Sequence, residues 1–109
     1  MEIKIFVVKT ELLADNLENK IAVSALEDCK LALIKAFKGL TIIANNQGLW
    51  LDESSGKLYS DLTDIWLIET SGSLDEYQLK DLTDYNLKIK SITRQLTQFY
   101  TVQGDAHLC

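Results

Sequence analysis

The chain predicts an α+β domain of the ferredoxin-like kind, a split β-α-β-β-α-β unit in which two helices cover one face of an antiparallel sheet. Three observations carry that expectation. Glu2 to Thr10 is dense in Ile, Val and Phe. Two later segments, ending near Gly39 and Leu96, repeat apolar residues at helical spacing. Between them Phe37 to Thr70 holds two apolar strands, both tryptophans and a polar break. Right-handed crossovers leave few other ways to connect such elements.

The elements follow in order. In the first strand Ile3, Ile5 and Val7 alternate with Phe6 and Val8, so both faces are apolar. The first helix has two possible starts, because Ser24 with Glu27 and Asp15 with Glu18 both have capping-box spacing. Its apolar stripe is Leu26, Cys29, Leu33 and Phe37, with Ile34 alongside. Acidic Glu27 and Asp28 begin it, Lys35 and Lys38 finish it, and Gly39 is placed to end it in a left-handed conformation.

Leu40 to Ala44 is a short strand that Asn45, Asn46, Gln47 and Gly48 interrupt before Leu49 to Leu51 resumes it. Asn and Gly tolerate positive φ, so the break is either a bulge that bends one strand or a tight turn between two, and the bulge is the preferred reading. The turn proper falls at Asp52 to Lys57, which pairs Leu49–Leu51 with Lys57–Ser60 and Leu40–Ala44 with Ile65–Thr70. Ser73 and Glu76 then open a second helix with the stripe Leu82, Tyr85, Ile89, Ile92 and Leu96. Phe99 to Val102 fits either its last turn or a strand, and Asp105 to Cys109 after Gly104 reads as a short terminal strand.

Composition sets the remaining bounds. A chain of 109 residues is a single domain, 1–109, able to bury roughly two-thirds of its unfolded surface. No proline, repeat or low-complexity linker divides it. The net charge of −5 argues against nucleic acid and anionic membranes as partners, since both are bound through clustered Lys and Arg. Asp52, Glu53, Asp61, Asp64, Glu69, Asp75 and Glu76 face only Lys57 in their stretch, which makes one end acidic. Lys88, Lys90 and Arg94 are too sparse a basic cluster for nucleic acid. No apolar run approaches the ~20 residues of a membrane span, the start lacks a signal-peptide pattern, and two distant cysteines are no disulfide framework. The expectation is a cytoplasmic protein with reduced thiols and no cofactor.

Three groups of residues carry candidate chemistry. Asn45, Asn46 and Gln47 beside Trp50, with Tyr59 across the hairpin, combine directed amides with aromatic walls as small-ligand pockets do. The bland reading is that the amides only make the bend. Asp105, His107 and Cys109 recur at i, i+2, i+4 along one strand face and are all metal-ligand types, yet a structural zinc site needs four ligands. Tyr59, Asp61 and Asp64 are near in sequence but lack a partner base or nucleophile. There is no Gly-x-Ser-x-Gly elbow, Cys-x-x-Cys pair or glycine-rich nucleotide fingerprint.

Phe37-Lys38-Gly39-Leu40-Thr41, Gly48-Leu49-Trp50 and Gly56-Lys57-Leu58, with Gln103 before the final strand, resemble a group of small bacterial and phage proteins of ferredoxin-like topology. These share a Phe-Gly-Gly-x-Thr run, a Gly-x-Trp element and a late Gln. Lys38 stands where the pattern has its first Gly, and Gly104-Asp105 replaces an apolar continuation. The resemblance implies a fold and no reaction.

Two helices cover one sheet face, so Phe6, Val8, Trp66 and Ile68, assigned to the other, form the expected interface of a homodimer or higher homo-oligomer. The function expected from packing surfaces without a catalytic set is a non-enzymatic interaction or regulatory module that binds a protein partner or small effector. The alternative is a small enzyme of the dimeric α/β-barrel kind, with its pocket between paired sheets.

Overall fold

The computed structural model describes the whole chain, Met1–Cys109. Strand β1 (Glu2–Val8) leads through a 3-10 turn (Thr10–Leu12) to helix α1 (Leu17–Phe37). The hairpin β2 (Thr41–Asp52) and β3 (Lys57–Glu69) follows, then α2 (Glu76–Ile92), β4 (Phe99–Val102) and β5 (Asp105–Leu108). The sheet is antiparallel in the order β2-β3-β1-β4-β5. The first four strands give the ferredoxin-like arrangement, with Phe99–Val102 as the strand beside β1. Asp105–Leu108 is an added edge strand. Gln103 and Gly104, both at positive φ, turn the chain tightly enough to lay it on β4.

Helix α1 starts well before the Ser24–Glu27 spacing and one residue after the Asp15–Glu18 alternative. Asn16 is the cap, and its side chain accepts the Asn19 N–H at 2.8 Å. Asp75, with Gln78, forms the capping box of α2 in place of Ser73 and Glu76. The left-handed residue closing α1 is Lys38 at φ 73°, the position where the resembling pattern carries Gly. Helix α2 ends at Ile92, which leaves Leu96 outside its stripe and 95% exposed.

Register decides which residues face the helices. Ile3 stands opposite Ile68 and Ile5 opposite Trp66, and cross-strand partners share a face. Trp66 (2% exposed) and Ile68 (0%) therefore join Ile3, Ile5 and Val7 in the core under Leu26, Leu33, Leu82 and Ile89. Their assignment to an interface is corrected. The run Ile65-Trp66-Leu67-Ile68 is apolar at every position, so alternation gave no phase, and a one-residue slip moves every side chain to the other face. The uncovered face carries Phe6 and Val8 with Ile65, Leu67 and Phe99, and Phe6 packs on Phe99 at 4.9 Å between ring centroids.

The hairpin bends where the amides break it. Its register shifts between Ile43 and Asn46, and Asn45 adopts φ 60°. Lys9 fixes the bend, reaching Asp64 at 3.0 Å and the Asn45 Oδ1 at 2.9 Å, while the Asn45 N–H donates to Asp64 at 2.9 Å. Beyond the bulge the strands continue as an arm, with Trp50 opposite Tyr59 and Leu51 opposite Leu58.

Candidate functional site

A cleft of about 560 Å³ lies at the root of this arm. The arm contributes Trp50, Tyr59 and Asp61, the β1 end and the 3-10 turn contribute Val8 and Glu11, and the segment after α2 contributes Arg94 and residues 95–97. The strand register places Val8, Tyr59 and Asp61 on the uncovered side of the sheet. Two other hollows, of about 320 and 290 Å³, have no aromatic ring in their walls.

The aromatic wall is held in place by contacts within the chain. Trp50 and Tyr59 are cross-strand partners, and their rings stack at 4.5 Å with 14° between planes. Lys57 lies 4.8 Å from the Tyr59 ring centre. The indole Nε1–H donates to Asp61 Oδ2 at 3.1 Å, and the Thr10 hydroxyl donates to Asp61 Oδ1 at 3.2 Å. Thr10 Oγ1 in turn accepts the Leu62 N–H at 2.9 Å. This chain of bonds fixes the indole although Trp50 is 51% exposed.

The opposite wall is built on the end of α2. Gln95 N–H bonds to Lys90 O and Arg94 N–H to Ser91 O, the two bonds of a Schellman closure. Its left-handed position, φ 56°, is held by Arg94 and not by glycine. The Arg94 guanidinium donates to Asn19 Oδ1 at 2.7 Å and to Glu11 O at 3.2 Å, and meets Glu18 at 3.4 Å. It thereby ties the starts of α1 and the 3-10 turn to the end of α2. The Glu11 carboxylate makes no bond within the chain.

Of the residues singled out by sequence, Trp50 and Tyr59 meet in the cleft together with Asp61. Asn45, Asn46 and Gln47 do not line it. Asn45 belongs to the Lys9–Asp64 lock, the Asn46 amide donates to Ile43 O and Thr63 O, and Gln47 bonds Ser60 across the strands. Asp64 points to the helix-covered face and Asp61 to the other, so alternation separates them. His107 stacks on Tyr100 at 5.0 Å, and no group of three or more His, Cys, Asp or Glu side chains converges around Asp105, His107 and Cys109 or elsewhere. Both thiols are free. Burial raises the pKa of Cys29, with Lys88 lowering it less, and burial also raises that of Cys109, against the activation a nucleophile needs.

Sequence reasoning missed Glu11, Arg94 and the 95–97 segment as partners of Trp50. They come from elements far apart in the chain, and in the sequence Arg94 stands only in a sparse basic cluster with Lys88 and Lys90. No helix is long and apolar enough to cross a membrane.

No family model matches the chain, and neither does the sequence of any curated protein. Two solved structures share its fold. A phage SAM lyase in complex with S-methyl-5′-thioadenosine superposes with a TM-score of 0.63 at 13% identity, covering 99% of this chain and 87% of that chain. A phage SAM lyase in its apo state does so with a TM-score of 0.58 at 13% identity, covering 99% and 86%. At that identity the likeness shows the fold. The expectation of a non-enzymatic interaction module is corrected by this finding, because the solved chains that share this architecture over almost its full length are lyases.

Proposed function

We propose that this chain is a small enzyme acting on an adenosyl sulfonium, SAM in the first place, whose carbon–sulfur bond it breaks to release S-methyl-5′-thioadenosine. The observation that carries the reading is the immobilised Trp50 indole, half exposed beside two carboxylates in a cleft of a lyase-bearing fold. One indole face rests on Tyr59, which leaves the other for a flat base or a cation. A cavity of this volume is within the usual range for small-molecule sites.

The chemistry also removes the main objection to an enzyme. A sulfonium departs as a neutral thioether: the bonding pair moves to sulfur, the positive charge disappears, and the leaving group needs no proton. A lyase adds no water. The carbon left behind is satisfied within its own molecule, by its carboxylate oxygen forming the new C–O bond as the C–S bond breaks, which closes a ring and leaves no proton to place. Binding and orientation do most of the work, so neither an activated cysteine nor a serine triad is required.

A second copy of the chain seated on the uncovered face belongs to the same proposal. Phe6, Val8, Ile65, Leu67 and Phe99 form an apolar strip continuous with the Val8 side of the cleft, and Lys4 and Glu69 give its margin both signs of charge. A homo-oligomer would close the cleft from above and keep water out. The two free thiols fit a reducing, cytoplasmic setting.

The test is incubation of the protein with SAM, with S-methyl-5′-thioadenosine followed by chromatography against the uncatalysed breakdown of SAM. Accumulation above that blank, abolished by Trp50→Ala, supports the reading. A folded protein that leaves SAM at the blank rate overturns it. Sedimentation at high micromolar concentration checks the oligomer, and monomer alone rejects that part.

A further inference from the structure

We propose that Arg94 and Glu11 recognise the amino-acid end of the sulfonium substrate, Arg94 taking its carboxylate and Glu11 its ammonium group. The proposal rests on the reading of the cleft as a sulfonium site.

Three observations lead to Arg94. It lines the cleft opposite Trp50 and Tyr59, so a ligand stacked on the indole extends its polar end toward it. Its guanidinium carries five N–H donors in a rigid fork, and Asn19, Glu11 O and Glu18 engage only the two terminal nitrogens. Nε–H and one Nη1–H remain without a partner in the chain, and each can donate a single charge-assisted bond to a carboxylate.

The third observation is conformational. Arg94 occupies the left-handed position of a Schellman closure at φ 56°, a site where glycine carries no steric penalty and a side chain does. Arg94 at that position also holds Asn19 and Glu11 O, contacts that glycine could not make. The anchors to Asn19 and Glu11 O account for its orientation, and the free donors for its recognition role.

Glu11 completes the pattern. Asp61, the other carboxylate of the cleft, has both oxygens engaged by Trp50 and Thr10, whereas the Glu11 carboxylate has no partner. One free anion beside one partly free cation matches a zwitterionic head group. S-methyl-5′-thioadenosine lacks that head and depends on the aromatic wall alone.

The experiment measures binding of SAM, decarboxylated SAM and S-methyl-5′-thioadenosine to the full chain and to Arg94→Gly and Arg94→Lys by calorimetry. Glycine is the residue the cap favours, so Arg94→Gly retains the closure while removing the fork. Its affinity for SAM should fall about ten- to a hundredfold, the range for hydrogen bonds to a charged group. Affinity for decarboxylated SAM and for S-methyl-5′-thioadenosine should stay within about twofold, and Arg94→Lys should recover part of the loss. Equal losses for all three ligands, or none for SAM, overturn the assignment of Arg94 and leave the sulfonium reading standing. A wild-type chain that binds none of the three overturns both.

Discussion

Trp66 and Trp50 lie on opposite strands of one hairpin, yet one is 2% and the other 51% exposed. The inner half of the hairpin is held by packing: Trp66 stands beside Ile5 beneath the helices, with the Lys30 ammonium 5.6 Å from its ring. The outer half has no helix over it. There the indole is held by a stacked tyrosine and a carboxylate that is itself anchored by Thr10. The difference teaches that the same residue type is held by packing in one half and by polar and stacking contacts in the other, where the proposed function gives it a recognition role. Substitutions should separate accordingly.

The largest effect tests that separation directly. Trp66→Ala should lower the unfolding free energy by about 3–5 kcal/mol, read from urea denaturation. Trp50→Ala should change it by about 1 kcal/mol or less, yet weaken S-methyl-5′-thioadenosine by about 1–3 kcal/mol through lost stacking. Equal stability losses would break the comparison.

The junction between the halves comes next. Lys9→Met removes the cation joining Asp64 to the Asn45 bulge, from a pair in which the Lys9 side chain is 25% and that of Asp64 16% exposed. It should cost about 1–2 kcal/mol in urea denaturation and loosen the arm. Asp61→Asn is milder, because the amide can accept from only one of the two donors that now share the carboxylate. Stability should fall by about 0.5–1.5 kcal/mol and ligand affinity severalfold, with the Trp50 emission shifting and that of Trp66 constant.

The smallest effect lies at the tip of the arm. Hydrogen bonds from Ser54, then Ser55, hold the exposed Asp52 carboxyl below the usual carboxylate range. A carboxyl whose folded pKa is depressed stabilises the turn fully above the unfolded value and loses that contribution as pH falls through the folded one. The Ser54 amide resonance should therefore stay fixed near pH 5 and move only below about pH 4, while the inner hairpin is unaffected.

The same contrast explains what the sequence revealed. The hairpin pairing and its bulge were legible because Asn45, Asn46 and Gly48 interrupt an apolar run while the stronger turn signal lies further on, at Asp52–Lys57. The order of elements was legible because helical and strand periods differ. The face of Trp66 was not, since four consecutive apolar residues carry no alternation. The start of α1 was not, because Asn16 caps it while two capping-box spacings competed nearby. Half of the cleft could be read, as Trp50, Tyr59 and Asp61 belong to one hairpin. Glu11 and Arg94 are brought to it by tertiary packing, and a left-handed arginine leaves no mark in a sequence.

The most direct test uses the two tryptophans as internal probes. In a titration with S-methyl-5′-thioadenosine followed by two-dimensional NMR, the Trp50 indole N–H should shift strongly with Tyr59 and Asp61 nearby, while the Trp66 indole N–H stays in place. No shift at Trp50, or shifts centred on the hollow around Leu12 and Val23, would contradict the account.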